Sequence, residues 1–167
     1  IDESKIFSEL STGLRKEVSA YLVEELMGSE SFFMSLNPTL WPQLLPRLRP
    51  ISFDKDEKAC EQGEDCSDMF VVLSGALRGA IAVPGDPDPR LRTILTGQHA
   101  NLLHVLGVWE YCLETVTALV PTEAYAVSQE DFRSLFTSET DLDQFATLRR
   151  RQVPTVHNAR TEGTYVM

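Results

Sequence analysis

Short apolar segments separated by turn-forming residues occupy the middle of the chain, and this pattern limits the fold more than any other feature. The segment DMFVVLSGALRGAIAV predicts a pair of strands around Ser74 and Gly75, and PGDPDP predicts an exposed hairpin loop. RLRTILTG predicts a further strand, and TEAYAVS another. We therefore expect about seven or eight short strands, with one interruption, between two helical regions.

Helical patterns flank this β region on both sides. KIFSELSTGLRKEVSAYLVEELM carries an apolar residue near every fourth position and ends at Gly28, whereas prolines divide SFFMSLNPTLWPQLLPRLRP into short pieces. After the last strand, Ser128 is a predicted helix cap, and Thr140 or Asp141 is predicted to cap a second helix. The pattern predicts an α+β fold: a jelly-roll-like antiparallel β-roll between N-terminal helices and C-terminal helices.

Composition excludes several classes of function. The 167 residues carry a net charge of −10, which argues against nucleic acid and anionic lipid as partners. No apolar run reaches the roughly twenty residues of a membrane span, so we expect no direct membrane insertion. The three cysteines (Cys60, Cys66 and Cys112) have no CxxC spacing, which predicts reduced thiols rather than a metal site. No catalytic constellation is evident, so we expect no enzyme activity. The first residue is Ile1, which indicates a piece of a longer polypeptide.

Two stretches carry a resemblance to a known family: FSELSTGLRKEVSAYLVEELM, and the ordered set from SFF to the LSGAL segment. Together they resemble the cyclic-nucleotide-binding-domain family, above all the cytoplasmic domains of cyclic-nucleotide-gated, hyperpolarisation-activated and ether-à-go-go-type ion channels. The resemblance runs from about Phe7 to Arg151. It implies C-linker-like helices over residues 1–30, a β-roll with lid helices over 31–153, and a flexible tail over 154–167.

In that family a phosphate-binding cassette holds the ligand, with a Phe-Gly-Glu stretch that opens a short helix and an Arg that pairs with the phosphate. Aligning Gly97 with the glycine before the cassette implies that the pocket is formed by Gly97, Ala100, Asn101, Leu102, Leu103, Cys112 and Leu113. The Arg position falls around Tyr111 or Cys112. From Thr93 to Phe132 the chain has five carboxylates and no Lys or Arg. The resemblance therefore implies a degenerate cassette.

Other residues offer alternatives at the same site. His99 and His104, if protonated, would supply a pH-dependent positive charge. Trp109 and Tyr111 would stack on a purine, or else cover the core.

The resemblance also implies roles for the C-terminal helix and the tail. The family's last helix is a lid, which assigns Leu148 and Arg149 to the lid and allows Arg149 to reach the pocket. In ether-à-go-go-type channels a short strand after the lid fills the pocket, and Tyr165 and Val166 are the candidates for such an intrinsic ligand here.

The resemblance implies a regulatory and gating module on the cytoplasmic side of a membrane channel, without a cofactor. Its partners would be the transmembrane region of the same chain and, through the linker helices, three further copies in a homotetramer. The alternative is a genuine sensor of cAMP, cGMP or a nucleoside, in a channel or in a sperm-type sodium/proton exchanger. A transcription regulator is disfavoured because no helix-turn-helix follows the roll.

Overall fold

The structure, a computed structural model, describes residues 32–161 and the isolated positions 13, 14 and 17. Those three positions are helical. The rest of the predicted linker region (1–30) lies outside the described residues, as does the end of the chain after Thr161.

Short helical turns precede the first strand. They comprise 3₁₀ turns at Phe32–Ser35, Pro38–Leu40 and Leu45–Arg47, and one turn of α-helix, α1, at Trp41–Leu44. A proline stands in the first positions of three of these turns, because its fixed φ suits a helix start and its missing N–H prevents a longer helix. The prediction of short helical pieces is confirmed.

Eight strands follow within the described part of the chain. Their bounds are β1 Arg49–Phe53, β2 Lys58–Cys60, β3 Asp68–Ser74, β4 Leu77–Ile81, β5 Arg90–Ile94, β6 His99–Ala100, β7 Thr115–Ala118 and β8 Thr122–Ser128. They form two antiparallel four-stranded sheets, in the orders β1-β8-β3-β6 and β2-β7-β4-β5. The antiparallel β-roll and the α+β class predicted from the sequence are confirmed.

The predicted strand pair around Ser74 and Gly75 is wrong in its pairing. β3 pairs with β8 and β6, whereas β4 pairs with β5 and β7, so the two consecutive strands belong to opposite sheets. Gly75 has a φ of +92° and allows the chain to cross between the sheets. A Cβ there would lie 2.6 Å from the carbonyl oxygen of Pro121.

The position of β3 between the helices and the second sheet explains why its sequence is a continuous apolar run. Met69 and Val71 face the helices, and Phe70 and Val72 face the second sheet. Both faces of this strand are buried, so neither face shows the polar alternation of a solvent-exposed strand.

A helix-side core joins parts of the chain that are distant in sequence. It contains Phe33, Trp41 and Leu44 from the N-terminal turns, Phe132 and Leu135 from the region after β8, and Leu148 from the last helix. The N-terminal turns, the sheet and the last helix therefore share one packed unit.

The C-terminal helices are α3 (Gln129–Arg133) and α4 (Glu139–Thr161), and a further short helix, α2 (Leu102–Val105), interrupts the strands. The Ser128 cap is confirmed, since its hydroxyl accepts from the N–H of Asp131 at 3.0 Å. The predicted cap of α4 is corrected. Ser138 accepts from the N–H of Asp141 at 3.1 Å, and the carboxylate of Asp141 accepts from the N–H of Ser138. α4 also continues to Thr161, so the boundary expected at residue 153 falls inside a helix.

Candidate functional site

A cavity of about 940 Å³ opens beside the segment that joins α2 to β7. Its walls are residues 61–63 after β2, residues 82–84 after β4, residues 108–113 and Thr115. The volume lies within the ~300–1,000 Å³ range of small-ligand sites. Residues 108–113, in the segment that interrupts the strands, and residues 82–84, at the start of the hairpin predicted from PGDPDP, therefore line the same pocket.

Backbone hydrogen bonds fix the wall formed by residues 108–113. The N–H of Cys112 donates to the carbonyl of Glu64 at 2.9 Å, and the N–H of Gly63 donates to the carbonyl of Cys112 at 2.8 Å. Asp65 and Tyr111 form an isolated antiparallel bridge beside them. The bridge fixes the backbone at Tyr111, which lines the cavity.

Gln62 ties the opposite wall to the rest of the pocket. Its side-chain oxygen accepts from the N–H of Ala82 at 2.7 Å, and its side-chain amide donates to the carbonyl of Ala82 at 3.3 Å. Its own N–H donates to the hydroxyl of Thr115 at 3.1 Å. Gln62 therefore joins three of the segments that line the cavity, with its side chain bound to Ala82 and its backbone N–H to Thr115.

The charge of the cavity is negative. Glu61 and Glu110 are its charged lining residues, and no Lys, Arg or His is among the described residues that line it. Lys58 donates to the carboxylate of Glu61 and lowers the pKa of that carboxyl, so Glu61 is ionised at neutral pH. A phosphate in this cavity would meet carboxylates instead of a guanidinium.

The residues predicted to form the pocket divide into two groups. Cys112 and Leu113 line the cavity, and Tyr111, at the alternative Arg position, lines it as well. Leu102 and Leu103 are buried residues of α2, and Leu102 packs in the helix-side core.

The remaining predicted pocket residues have structural contacts. Ala100 is fully buried between the sheets. Asn101 has a φ of +68°, and its side-chain amide donates to the carbonyl of Asp68 at 3.0 Å. The N–H of Gly97 donates to the carbonyl of Val72 at 2.8 Å, and its φ is +82°. None of these three lines the cavity, because each is held against the sheet that contains β3.

The sequence did not single out Gln62, Val83 or Pro84 as pocket residues, although all three line the cavity. Gln62 lies within the ordered set from SFF to LSGAL that carries the resemblance, and this was the available signal. Val83 and Pro84 reach the pocket only because the β4–β5 hairpin curls over it, which no local pattern indicates.

The three cysteines lie together beneath the wall. Their thiols donate to backbone carbonyls, Cys60 to Glu114 at 3.5 Å and Cys112 to Asp65 at 3.9 Å, and all three cysteines are free. Burial raises the pKa of Cys60 and Cys112 to about 12 and that of Cys66 to about 11. Thiols held protonated at neutral pH are poor nucleophiles. Among the described residues, no group of His, Cys, Asp or Glu is arranged to hold a metal ion.

Arg92 lies beside this wall, although it was not considered as a site residue from the sequence. Its guanidinium forms a bidentate ion pair with Glu114, with Nε–Oε1 at 2.6 Å and Nη2–Oε2 at 2.9 Å. Glu114 stands between Leu113 and Thr115, which both line the cavity. The interpretation from the sequence considered only the run after Thr93 and so missed this cation.

The two histidines make contacts that do not supply a cation to the cavity. His104 is hydrogen-bonded through Nδ1 to the carbonyl of Glu110 at 3.1 Å. His99 packs edge-on against the ring of Phe32. Burial, together with the positive charge of Arg92, lowers the pKa of His99 to about 4. His99 is therefore neutral at physiological pH.

The pKa of His99 predicts a pH dependence of stability. Between about pH 6.5 and pH 4 the unfolded chain binds a proton at this residue and the folded chain does not. We expect the free energy of unfolding to decrease, by on the order of 2 kcal/mol from this residue, as the pH falls through this window. Urea denaturation of the wild type and of His99→Gln at pH 7 and pH 4.5 measures this contribution. Equal losses of stability in both proteins would contradict it.

The last helix, α4, contacts the helix-side core and the turn that follows α2. Leu148 is 4% exposed and packs in the helix-side core. Nη2 of Arg149 donates to the carbonyl of Gly107 at 3.3 Å, and Arg149 does not line the cavity. Tyr165 and Val166, the candidates for an intrinsic ligand, lie outside the described residues. In the part of the chain that the structure describes, no helix is long and apolar enough to cross a bilayer.

Comparisons with known proteins agree with this architecture. The chain is 25% identical over 145 residues to cyclic nucleotide-gated ion channel 2 of Arabidopsis thaliana, which covers 79% of this chain and 19% of that protein. It is 23% identical over 164 residues to the probable cyclic nucleotide-gated ion channel 5 of the same plant, which covers 92% of this chain and 22% of that protein. The chain thus spans about a fifth of the length of these relatives.

Solved structures share the fold at low sequence identity. The regulatory domain of Toxoplasma gondii PKA with cAMP superimposes with a TM-score of 0.62 at 14% identity, over 83% of this chain and 51% of that one. The sensor domain of the transcriptional regulator DNR from Pseudomonas aeruginosa gives 0.63 at 17% identity, over 84% and 95% of the two chains. A mutant regulatory subunit of a cAMP-independent protein kinase A from Trypanosoma brucei, bound to cAMP in its A site, gives 0.65 at 15% identity, over 90% and 52%.

The family expected from the sequence is confirmed by a match that covers more than half of the chain. Residues 50–139, from β1 to the start of α4, match the cyclic nucleotide-binding domain family. This range includes both sheets, α2, α3 and every residue that lines the cavity. The chain belongs to the cyclic nucleotide-binding domain family.

Proposed function

We propose that this chain is the regulatory domain of a membrane channel and that its cavity does not hold a cyclic nucleotide by the usual phosphate–arginine contact. The observation that carries the proposal is the lining of the cavity, where Tyr111 and Cys112 are the candidates for the Arg position and Glu61 and Glu110 are the charged residues. The similarity to cyclic nucleotide-gated ion channels of Arabidopsis thaliana supports a channel as the parent protein. On this reading the domain lies on the cytoplasmic side of the membrane and has no enzyme activity.

The missing contacts are large enough to decide whether cyclic nucleotides bind. A hydrogen bond to a charged group contributes about 1.5–3 kcal/mol, or roughly one to two decades of affinity. The absence of the Arg and of the cassette Glu would move a micromolar site towards the millimolar range. Asn101 and Leu102, at the cassette positions, have their side chains engaged with β3 and with the helix-side core.

The packing supports a gating role for the lid. Leu148 of α4 shares the helix-side core with Phe33 and Trp41 of the N-terminal turns and with Phe132 of α3. A displacement of α4 would therefore be transmitted to the segment that precedes Phe32 and, in the parent protein, to the pore. A ligand or partner would drive this displacement only if it bound the two positions of α4 with different affinities. Assembly as a homotetramer through residues 1–30 belongs to the same proposal.

A sensor of a ligand without a phosphate is the second candidate. The cavity volume of about 940 Å³ and the presence of Trp109 and Tyr111 in its wall favour a flat aromatic ligand such as a nucleoside. The carboxylates of Glu61 and Glu110 would accept hydrogen bonds from ligand amino or hydroxyl groups.

Isothermal titration calorimetry of the chain with cAMP and with cGMP, up to millimolar concentration, tests the proposal. We expect either no measurable heat or a dissociation constant in the millimolar range. A micromolar dissociation constant for either nucleotide would show that other residues hold the phosphate and would overturn the proposal.

A further inference from the structure

Arg92 and Glu114 form a bidentate ion pair. Both oxygens of the Glu114 carboxylate accept from the guanidinium, at 2.6 Å and 2.9 Å, and Nη2 also donates to the carbonyl of His99 at 3.2 Å. The Glu114 side chain is 12% exposed and that of Arg92 is 44% exposed. A bidentate pair with a mostly buried carboxylate is held more firmly than an exposed single contact.

The pair adjoins the cavity, although neither Arg92 nor Glu114 lines it. Glu114 is flanked in the chain by Leu113 and Thr115, which both line the cavity. The carboxylate rests on β4 at Gly79, where an added Cβ would lie 2.5 Å from Oε2 of Glu114. A larger residue at position 79 would displace the carboxylate, so the glycine makes room for the ion pair. The same strand leads into residues 82–84, the opposite wall.

A second cation near the cavity, Lys58, is a weaker candidate for an anion contact. It pairs with Glu61, and the two side chains are 58% and 43% exposed. Both belong to one turn of the chain, at a spacing of three residues, and solvent screens such a pair. Arg92, in contrast, presents a planar fork that matches the geometry of a phosphate as well as that of a carboxylate.

We propose that Glu114 limits the ligand selectivity of this site by occupying the guanidinium of Arg92 as an internal anion, so that removal of its carboxylate leaves that guanidinium, next to the cavity, free to bind phosphate-bearing ligands. This inference rests on the proposed function, since it explains why Arg92, although it lies beside the cavity wall, does not bind a ligand phosphate. The carboxylate and a ligand phosphate compete for the same donors, Nε and Nη2 of Arg92. The wild-type chain therefore excludes the phosphate by a contact within the fold.

The experiment compares the wild type with Glu114→Gln and Glu114→Ala by calorimetry, with cAMP and inorganic phosphate as the probes. We expect both variants to bind cAMP at least about tenfold more tightly than the wild type, as the gain of one charge-assisted contact implies. The double variant Arg92→Gln/Glu114→Gln should lose this gain. Glu123→Gln is the matched control, because it removes one negative charge from an exposed position on β8, where the carboxylate pairs with Ser52. It should bind as the wild type does.

Circular dichroism establishes that each variant is folded. If the Gln and Ala variants do not fold, Glu114→Asp retains the charge and shortens the side chain by one methylene, and we expect an intermediate gain. Folded variants that bind cAMP no better than the wild type would overturn the inference. A gain with inorganic phosphate but not with cAMP would also overturn it, because Arg92 would then be open to anions from outside the cavity only.

The outcomes separate this inference from the proposed function. Micromolar binding of cAMP by the wild type would contradict the proposed function itself. Absence of binding by the wild type and by every folded Glu114 variant would leave the proposed function standing and would contradict the role assigned to Glu114 alone.

Discussion

Substitution Tyr111→Arg is expected to increase the affinity for cAMP by about ten- to a hundredfold. Tyr111 lines the cavity and is 45% exposed, so a guanidinium at this position would remain hydrated without ligand and would reach a phosphate inside the cavity. An arginine forms a bidentate, charge-assisted contact with a phosphate, which a tyrosine hydroxyl does not. Cys112, the neighbouring alternative for the Arg position, is 2% exposed, so an arginine there would bury its charge.

Tyr111→Gln is the control for this prediction, because it removes the ring and adds polar atoms without a charge. Calorimetric titration of the wild type and of the two variants with cAMP measures the effect, and titration with adenosine shows whether the gain needs the phosphate. Equal cAMP affinities of folded Tyr111→Arg and Tyr111→Gln would contradict the placement of the phosphate position at residue 111.

Substitution Phe132→Ala is expected to lower the free energy of unfolding by about 3–5 kcal/mol. Phe132 is fully buried, and its ring contacts those of Phe32 and Phe136 at centroid distances of 6.2 Å and 5.4 Å. It belongs to the helix-side core that also contains Leu148 of the lid. Its truncation would leave a cavity between the sheet and the helices, and rigid neighbours fill such a cavity only in part.

Leu142→Ala provides the comparison within α4, because Leu142 is 54% exposed and loses little buried surface. We expect this substitution to change the free energy of unfolding by less than about 1 kcal/mol. Urea denaturation followed by circular dichroism measures both proteins. If the Phe132→Ala protein lost no more stability than the Leu142→Ala protein, the helix-side core would not be the unit that joins lid and roll.

Local patterns were sufficient to predict most of the secondary structure. The β4–β5 hairpin follows from the turn formers of PGDPDP, and the start of α3 follows from Ser128. The pairing of strands was not predictable in the same way. β3 and β4 follow each other after one turn and yet lie in opposite sheets, because the alternation of side chains identifies a strand but not its partner.

The sequence was more informative about the charge of the site than about which residues form it. The absence of Lys and Arg between Thr93 and Phe132 led to the prediction of a cassette without a cation, and no Lys or Arg is among the described residues that line the cavity. Ala100 and Leu102, which the resemblance assigned to the pocket, are buried in the two cores and do not line the cavity. The approach of Arg92 to Glu114 depends on the pairing of β4, β5 and β7, which is information that no short stretch contains.

The affinity of the wild-type chain for cAMP relative to adenosine tests the central claim most directly, because the two ligands share the base and the ribose and differ in the cyclic phosphate. If the cavity makes no favourable phosphate contact, the two dissociation constants should agree within about tenfold, or adenosine should bind more tightly because Glu61 and Glu110 repel the phosphate. A cAMP affinity about a hundredfold or more above that of adenosine would show that the phosphate is bound by a positive group and would contradict a degenerate site.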